Sequence, residues 1–317
     1  MGAVILEHIV KTYNQGKLIA VNDVSLKVNE GELFGLIGPD GAGKTSIFRI
    51  LTTLLLADKG QASVAGLDVV KDYQKIREIV GYMPGRFSLY QDLTLKENLE
   101  FFATVFGTTV EENYVLIKEI YDQIKPFSSR RAGKLSGGMK QKLALCCAMI
   151  HKPKVLFLDE PTTGVDAVSR KEFWDILAKL KEQGITILVS TPYMDEATLC
   201  ERIALIQEGR IMSVDRPERI IQAFPKKLYA ARSADIYRLL TDFRKNKDVT
   251  SCFAFGDWLH ITLIQDHADS EQKLMKYAEE LGHPQCEVKQ IKPGIEDSFI
   301  NLMRERNVVP QSHLPES

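Results

Sequence analysis

The segment Gly38-Pro39-Asp40-Gly41-Ala42-Gly43-Lys44-Thr45 constrains this chain more than any other, because it fits G-x-x-x-x-G-K-[ST] without a mismatch. Its glycines let the backbone curl until several N–H groups face one anion, and a helix that starts there adds the positive end of its dipole. The flanks suit such a loop. Leu33 to Ile37 is a short apolar strand running into it, and Lys44 to Leu56 follows with helical periodicity. A turn that is merely tight has no need of a lysine and a threonine together. Lys44 is placed to reach the β- and γ-phosphates of a ligand, and Thr45, with Ser46 beside it, to hold Mg²⁺ through a hydroxyl.

A second segment has the matching chemistry. Val155 to Leu158 reads as a strand buried on both faces, and it ends in the carboxylates Asp159 and Glu160. Asp159 at the tip suits a Mg²⁺-bound water. Glu160 points elsewhere and suits polarisation of an attacking water. A helix over Val168 to Glu182 and a strand over Ile185 to Val189 complete a strand–helix–strand unit, which implies a parallel sheet with right-handed crossovers. Ala3 to Lys11 and Val21 to Val28 read as strands around a turn at Gly16. Leu95 to Phe106, Val110 to Ile124 and Met139 to Ile150 read as helices, and Tyr82 to Leu93 as irregular, broken by Pro84 and Gly85.

Composition sets limits on partners. Lys plus Arg total 41 against 42 for Asp plus Glu, a balance that argues against a nucleic-acid partner. Cys146, Cys147, Cys200, Cys252 and Cys286 have no ligand spacing and are read as reduced, mostly buried thiols. No apolar run has the length of a bilayer span, and the N-terminus has no signal pattern, so something else is expected to anchor the chain if it works at a membrane.

The pattern changes at Phe224-Pro225. Beyond it come a strand (227–231), a helix (234–245), two strands (249–255 and 258–265), a helix (270–281) and a strand (286–291). That order predicts a small α+β ferredoxin-like βαββαβ domain. The expected division is 1–224 for the first domain, with a helical subdomain at about 86–152, then 225–307 for the second. A last helix spans 295–304, and 308–317, which holds two prolines, is expected to be disordered.

Leu135-Ser136-Gly137-Gly138-Met139-Lys140-Gln141 decides between P-loop families. Physically it is a second anion site: an N-cap serine, two glycines and the start of a helix. Two such sites in one chain suit a nucleotide sandwiched between two chains. The segment resembles the LSGGQ signature of ABC ATPases, with Met139 where that family has Gln. The resemblance covers about residues 3–224, and it implies the P-loop ABC cassette: an α/β mixed-sheet core with a helical subdomain. It also implies ATP and Mg²⁺ as ligands. Tyr13 stands where the family stacks an aromatic on adenine, although a strand-end tyrosine has the same look. Asp159 and Glu160 match the metal-binding and catalytic carboxylates. Asp166, in Gly164-Val165-Asp166, matches the D-loop. Pro293-Gly294-Ile295-Glu296-Asp297-Ser298-Phe299, Phe87 to Thr94 and Tyr193-Met194-Asp195-Glu196-Ala197 are similar to segments of ABC-2-type exporter ATPases. From this follow the expected partners: an integral membrane permease subunit and a second cassette. The expected place is the cytoplasmic face of the inner or plasma membrane.

Two positions depart from the family. Gly85 stands where the Q-loop glutamine is usual, and Pro192 where a histidine follows the switch strand. Neither side chain makes a hydrogen bond. Asp40 replaces the usual Asn. Binding of ATP should survive these changes, whereas hydrolysis at this chain's own site should be slow, since losing one preorganised donor costs roughly a hundred- to a thousand-fold. An intact signature beside an eroded site suggests a heterodimer, with a homodimer as the alternative. Phe87, Leu89 and Tyr90 suit either a groove for a membrane partner's helix or ordinary core. Two other functions remain open: a soluble ABC ATPase of repair or translation, and a regulatory ATP-binding module.

Overall fold

The computed structural model describes residues 2–308. The chain divides into two compact units, Met1–Pro217 and Glu218–Ser317. In chain order the first unit runs β1 (Gly2–Tyr13), β2 (Leu18–Asn29), β3 (Leu33–Ile37), α1 (Lys44–Leu51), β4 (Lys59–Val64), β5 (Leu67–Asp68), α2 (Tyr73–Ile79) and β6 (Val80–Met83). It continues with α3 (Leu95–Val105), α4 (Val110–Ile124), α5 (Gly137–Met149), β7 (Val155–Asp159), α6 (Ala167–Glu182), β8 (Thr186–Thr191), β9 (Arg202–Gln207) and β10 (Arg210–Asp215).

These strands form two sheets. One is antiparallel, in the order β2-β1-β4-β5; the other is mixed, in the order β10-β9-β3-β8-β7-β6. In the second, β9, β3, β8, β7 and β6 are parallel and the edge strand β10 is antiparallel to β9. Every residue of β3, β7 and β8 is buried, which is why these segments read as unbroken apolar runs rather than alternations. Helix α1 shares one core with both sheets. Its Ile47, Phe48, Ile50 and Leu51 pack with Val4 and Leu6 on one side and with Phe34 and Phe157 on the other. Phe48 meets Phe157 edge to face, ring centroids 5.7 Å apart.

Helix α1 is shorter than the expected Lys44 to Leu56. It ends at Leu51, with Thr52 as its cap and Thr53 in the left-handed region at φ 63°. The apolar spacing continues past that point, but Leu54 and Leu56 are exposed. Helices α3 and α4 start where Thr94 and Thr109 form capping boxes with Glu97 and Glu112.

The second unit opens one residue into α7 (Pro217–Gln222) and holds β11 (Leu228–Arg232), α8 (Ile236–Lys245), β12 (Val249–Phe255), β13 (Trp258–Leu263), α9 (Ser270–Glu280), β14 (Glu287–Ile291) and α10 (Ile295–Val308). Its sheet is wholly antiparallel in the order β12-β13-β11-β14, the strand order of a ferredoxin-like unit. Tyr229, Phe243, Leu259, Ile261 and Leu274 fill its core. The division falls before Phe224-Pro225 because α7 is tied to this unit. Ile220 is buried, and its carbonyl accepts a hydrogen bond from Ser298 Oγ of α10 at 3.5 Å. The tail expected from 308 onward lies outside the described residues, except for Val308 at the end of α10.

Candidate functional site

Strand register brings the sequence motifs together. Ile37 pairs with Thr191, Asp159 with Ser190, and Met83 with Leu158. The segments that follow β3, β6, β7 and β8 therefore leave the sheet at one edge, the carboxyl end, where open α/β sheets bind ligands.

The loop at residues 38–43 is built on two glycines that cannot be replaced in place. A Cβ on Gly38 would lie 2.2 Å from the Ile206 carbonyl oxygen, and the Gly38 N–H donates to Thr191 O at 3.2 Å. Gly43 has φ 103°, and a Cβ there would lie 2.2 Å from Ala20 O. Ala42 N–H donates to Pro39 O at 3.2 Å and closes the turn. Asp40 and Gly41 form its exposed crown. Thr45 and Ser46 lie half-buried in the first turn of α1. Tyr13 belongs to the same cluster: its hydroxyl is 3.1 Å from Ser46 Oγ.

Lys44 is only 3% exposed. Its ammonium donates to Gly38 O at 2.8 Å and Pro39 O at 3.0 Å, and it sits 3.1 Å from Glu160 Oε1. Glu160 has a left-handed backbone, φ 51°, unusual for a residue other than glycine and frequent at functional sites. Ser190 holds the Asp159 carboxylate and the Glu160 backbone. Its hydroxyl donates to Asp159 Oδ1 at 2.5 Å, and the Glu160 N–H donates to both Ser190 O (3.0 Å) and Ser190 Oγ (3.1 Å). Nothing in the sequence around Ser190 announces this role; only its register opposite Asp159 does. Burial, helped by the nearby charge of Asp159, pushes the Tyr82 phenol up to about 12.

Both departures from the family pattern follow strands that flank the one ending in Asp159. A Cβ at Gly85 would lie 3.0 Å from Asp159 O and 3.7 Å from Glu160 Cβ. Pro192 directly continues β8 from Ser190 and Thr191.

The residues Leu135 to Met139 form a second cluster. Leu135 is buried as an anchor, while Ser136 and Gly137 are exposed. Ser136 caps α5 by accepting from Met139 N–H at 3.4 Å. The glycines permit close approach to the next turn. A Cβ on Gly137 would lie 3.4 Å from Gly164 O, and one on Gly138 would lie 2.7 Å from Ser169 Oγ. Asp166 caps α6 by accepting from Ser169 N–H at 3.0 Å, and that bond holds its carboxyl below the usual range. The exposed signature and Asp166 thus share one surface.

The donor set suits a phosphate-bridged divalent ion. No group of three His, Cys, Asp or Glu that could hold a metal by itself occurs among the described residues. Asp159 and the Thr45 hydroxyl are oxygen donors of the kind Mg²⁺ takes when phosphates complete its shell.

The ABC transporter family model matches residues 21–163, from before the phosphate loop through Asp159 and Glu160. The Nod factor export ATP-binding protein I of Burkholderia lata is 38% identical over 211 residues, 66% of this chain and 69% of that protein. The chain belongs to the ABC transporter ATP-binding family. Another relative in this family is the probable multidrug ABC transporter ATP-binding protein YbhF of Escherichia coli (strain K12), 36% identical over 289 residues. That match takes in 90% of this chain but 49% of YbhF, so the chain spans about half the length of that relative. Among solved structures, the ATP-binding cassette MJ0796, a dimer in a post-hydrolysis state bound to ADP and Pi, superposes with a TM-score of 0.62 at 26% identity. It covers 67% of this chain and 98% of the cassette, and the fold is the ABC cassette expected from the resemblance.

Proposed function

We propose that this chain is the ATP-binding subunit of an ABC-2-type exporter, one that holds ATP and Mg²⁺ between two cassettes and drives a separate membrane permease. The observation that carries this reading is the cluster of Lys44, Asp159 and Glu160 under the phosphate loop, in the same chain as an exposed Ser136-Gly137 signature. Lys44 would exchange the Gly38 and Pro39 carbonyls for β- and γ-phosphate oxygens. Glu160, relieved of Lys44, would orient the attacking water. A Mg²⁺ held by Thr45 and Asp159 would neutralise phosphate charge. Tyr13, next to Ser46, would receive adenine. The names of two relatives, a multidrug transporter protein and a Nod factor export protein, support the export direction.

A cleft of about 480 Å³ supports the membrane partner. Met83, Phe87, Phe102, Ala144 and Cys147 line it, and it is continuous with Pro84 beside Gly85. Leu89 borders the cleft but is buried as core, and Phe87 is half-buried within it; Tyr90 is exposed and meets Phe101 edge to face. The apolar lining suits an amphipathic helix of a permease. Among the described residues no helix is long and apolar enough to cross a membrane. The expected place is the cytoplasmic membrane face.

Gly85 and Pro192 leave the carboxylates without the two usual hydrogen-bonding neighbours, so slow turnover at this site and pairing with a complete cassette are part of the proposal. The test is steady-state ATPase of the purified chain, alone and with a partner cassette and permease. ATP binding with little turnover alone, and fast turnover in the complex, is expected. Vigorous turnover by the chain alone, abolished by Glu160→Gln, would overturn the heterodimer; absence of ATP binding would overturn the whole reading.

A further inference from the structure

Glu196 is buried to 2% exposure and is not part of the cluster around Lys44. It lies in a 3-10 helix, Met194–Leu199, just after Pro192. Its carboxylate accepts three hydrogen bonds from three segments. Thr162 Oγ1 donates to Oε1 at 2.8 Å, Arg170 Nε to Oε1 at 3.2 Å, and Thr191 Oγ1 to Oε2 at 2.6 Å. Thr162 follows Glu160 by two residues. Arg170 is in the first turn of α6, where its N–H bonds Asp166 O at 2.9 Å. Thr191 is the last residue of β8, and its hydroxyl also accepts the Tyr193 N–H at 3.0 Å. Arg170 reaches further: it donates to Asp195 at 3.1 Å and lies over the Tyr193 ring at 4.4 Å.

A buried charge is costly unless paired and fully hydrogen-bonded, and removing one partner from such a group is more disruptive than its share of the bonds suggests. A buried network whose bonds are all made rigidifies the segments it joins. We infer that Glu196 is a positioning residue: it locks the Thr162–Asp166 turn and the first turn of α6 to the Thr191–Pro192 switch, so that these segments respond to nucleotide as one body. Because Asp166 lies beside the signature, the lock carries the state of the phosphate side to the surface that faces a second cassette. In this chain Pro192 offers the phosphate no side-chain hydrogen bond, so the switch depends on Thr191 and Glu196 for its position. The inference rests on the ATP-binding reading above.

The test is amide hydrogen exchange of the full chain with and without ATP and Mg²⁺, read over 162–170 and 191–199, with ATP affinity measured alongside. In the wild type, ATP slows exchange in both segments about tenfold. In Glu196→Gln, ATP still binds within about threefold and still protects 191–199, but 162–170 changes by less than about twofold. Thr191→Val, which keeps the volume and loses the hydroxyl, uncouples likewise; Thr191→Ser behaves as wild type. A merely structural role predicts faster exchange without ATP and parallel loss of protection in both segments, which overturns the inference. So does wild-type coupling in Glu196→Gln and Thr191→Val, or a wild type that binds ATP without protecting 162–170. A wild type that binds no ATP overturns the functional reading itself.

Discussion

Restoring a glutamine at position 85 tests whether the site is slow for the reason proposed. The Gly85 backbone is not in the left-handed region, so a side chain meets no conformational penalty there. Its Cβ would stand 3.0 Å from Asp159 O, a tight contact with backbone held in register by β8 on one side and β6 on the other. That overpacking should cost about 1 kcal/mol of stability, or roughly 2–4 °C in Tm for a domain of this size. The ground and transition states share this strain, so it does not by itself alter the barrier. The glutamine side chain would start from a Cβ 3.7 Å from Glu160 Cβ, and one preorganised donor at the reacting end of the site is worth up to roughly a hundred- to a thousand-fold in kcat. Groups acting as a unit do not add. Gly85→Gln alone should therefore raise turnover about tenfold, and Gly85→Gln with Pro192→His by more than the product of the two single effects. Gly85→Ala is the control: it keeps the contact, lowers Tm by the same few degrees and leaves turnover unchanged. The assay is phosphate release at saturating ATP, with Glu160→Gln as the blank. If Gly85→Gln matches Gly85→Ala in rate while still binding ATP, the missing side chain is not what limits this site.

Gly38→Ala places a methyl on the Ile206 carbonyl, and nucleotide affinity should fall roughly ten- to a hundred-fold by titration with a fluorescent ATP analogue. Burial raises all five thiols, Cys286 to about 11 and Cys252 to about 12, so a disulfide reagent at about pH 8 should label the native chain far more slowly than the unfolded one. Asp58 is lowered from 3.8 to about 2, chiefly by the hydrogen bond from the Lys11 side chain and then those from Thr12. A depressed carboxylate stabilises the fold above its unfolded value and loses that effect as pH falls through its folded value. Asp58→Asn should accordingly lower Tm at about pH 5, and the difference from wild type should shrink between about pH 4 and 2 in a thermal melt series.

Much of the site was legible because its chemistry is contiguous. Gly38 to Thr45, Asp159-Glu160 and Ser136 to Met139 each carry their candidate groups within a few adjacent residues. The βαββαβ order of the second unit was legible for a related reason, since strand and helix periods alternate cleanly there. What eluded the sequence depends on pairing between distant segments. Ser190 is an ordinary strand serine until its register opposite Asp159 is known. Strand β6 hides in front of Pro84 and Gly85, and β4, Lys-Gly-Gln-Ala-Ser-Val, is poor in strand formers. The end of α1 was overrun because Leu54 and Leu56 keep a helical spacing while lying in a turn. Phe224-Pro225 has the look of a boundary, yet α7 before it already packs with the second unit.

The contact between Lys44 and Glu160 has a consequence for charge balance. With the two 3.1 Å apart, the Lys44 ammonium and the Glu160 carboxylate offset each other. An arriving phosphate competes with Glu160 for one ammonium, so occupancy and release of the carboxylate become a single exchange. Glu160 is then left facing an anion without its counter-ion, and the exchange is least unfavourable where a second cation or a partner's dipole shares the load. In the proposed two-cassette arrangement, affinity at this site should therefore depend on what the second cassette brings to the interface, which makes assembly and nucleotide capture two descriptions of one equilibrium.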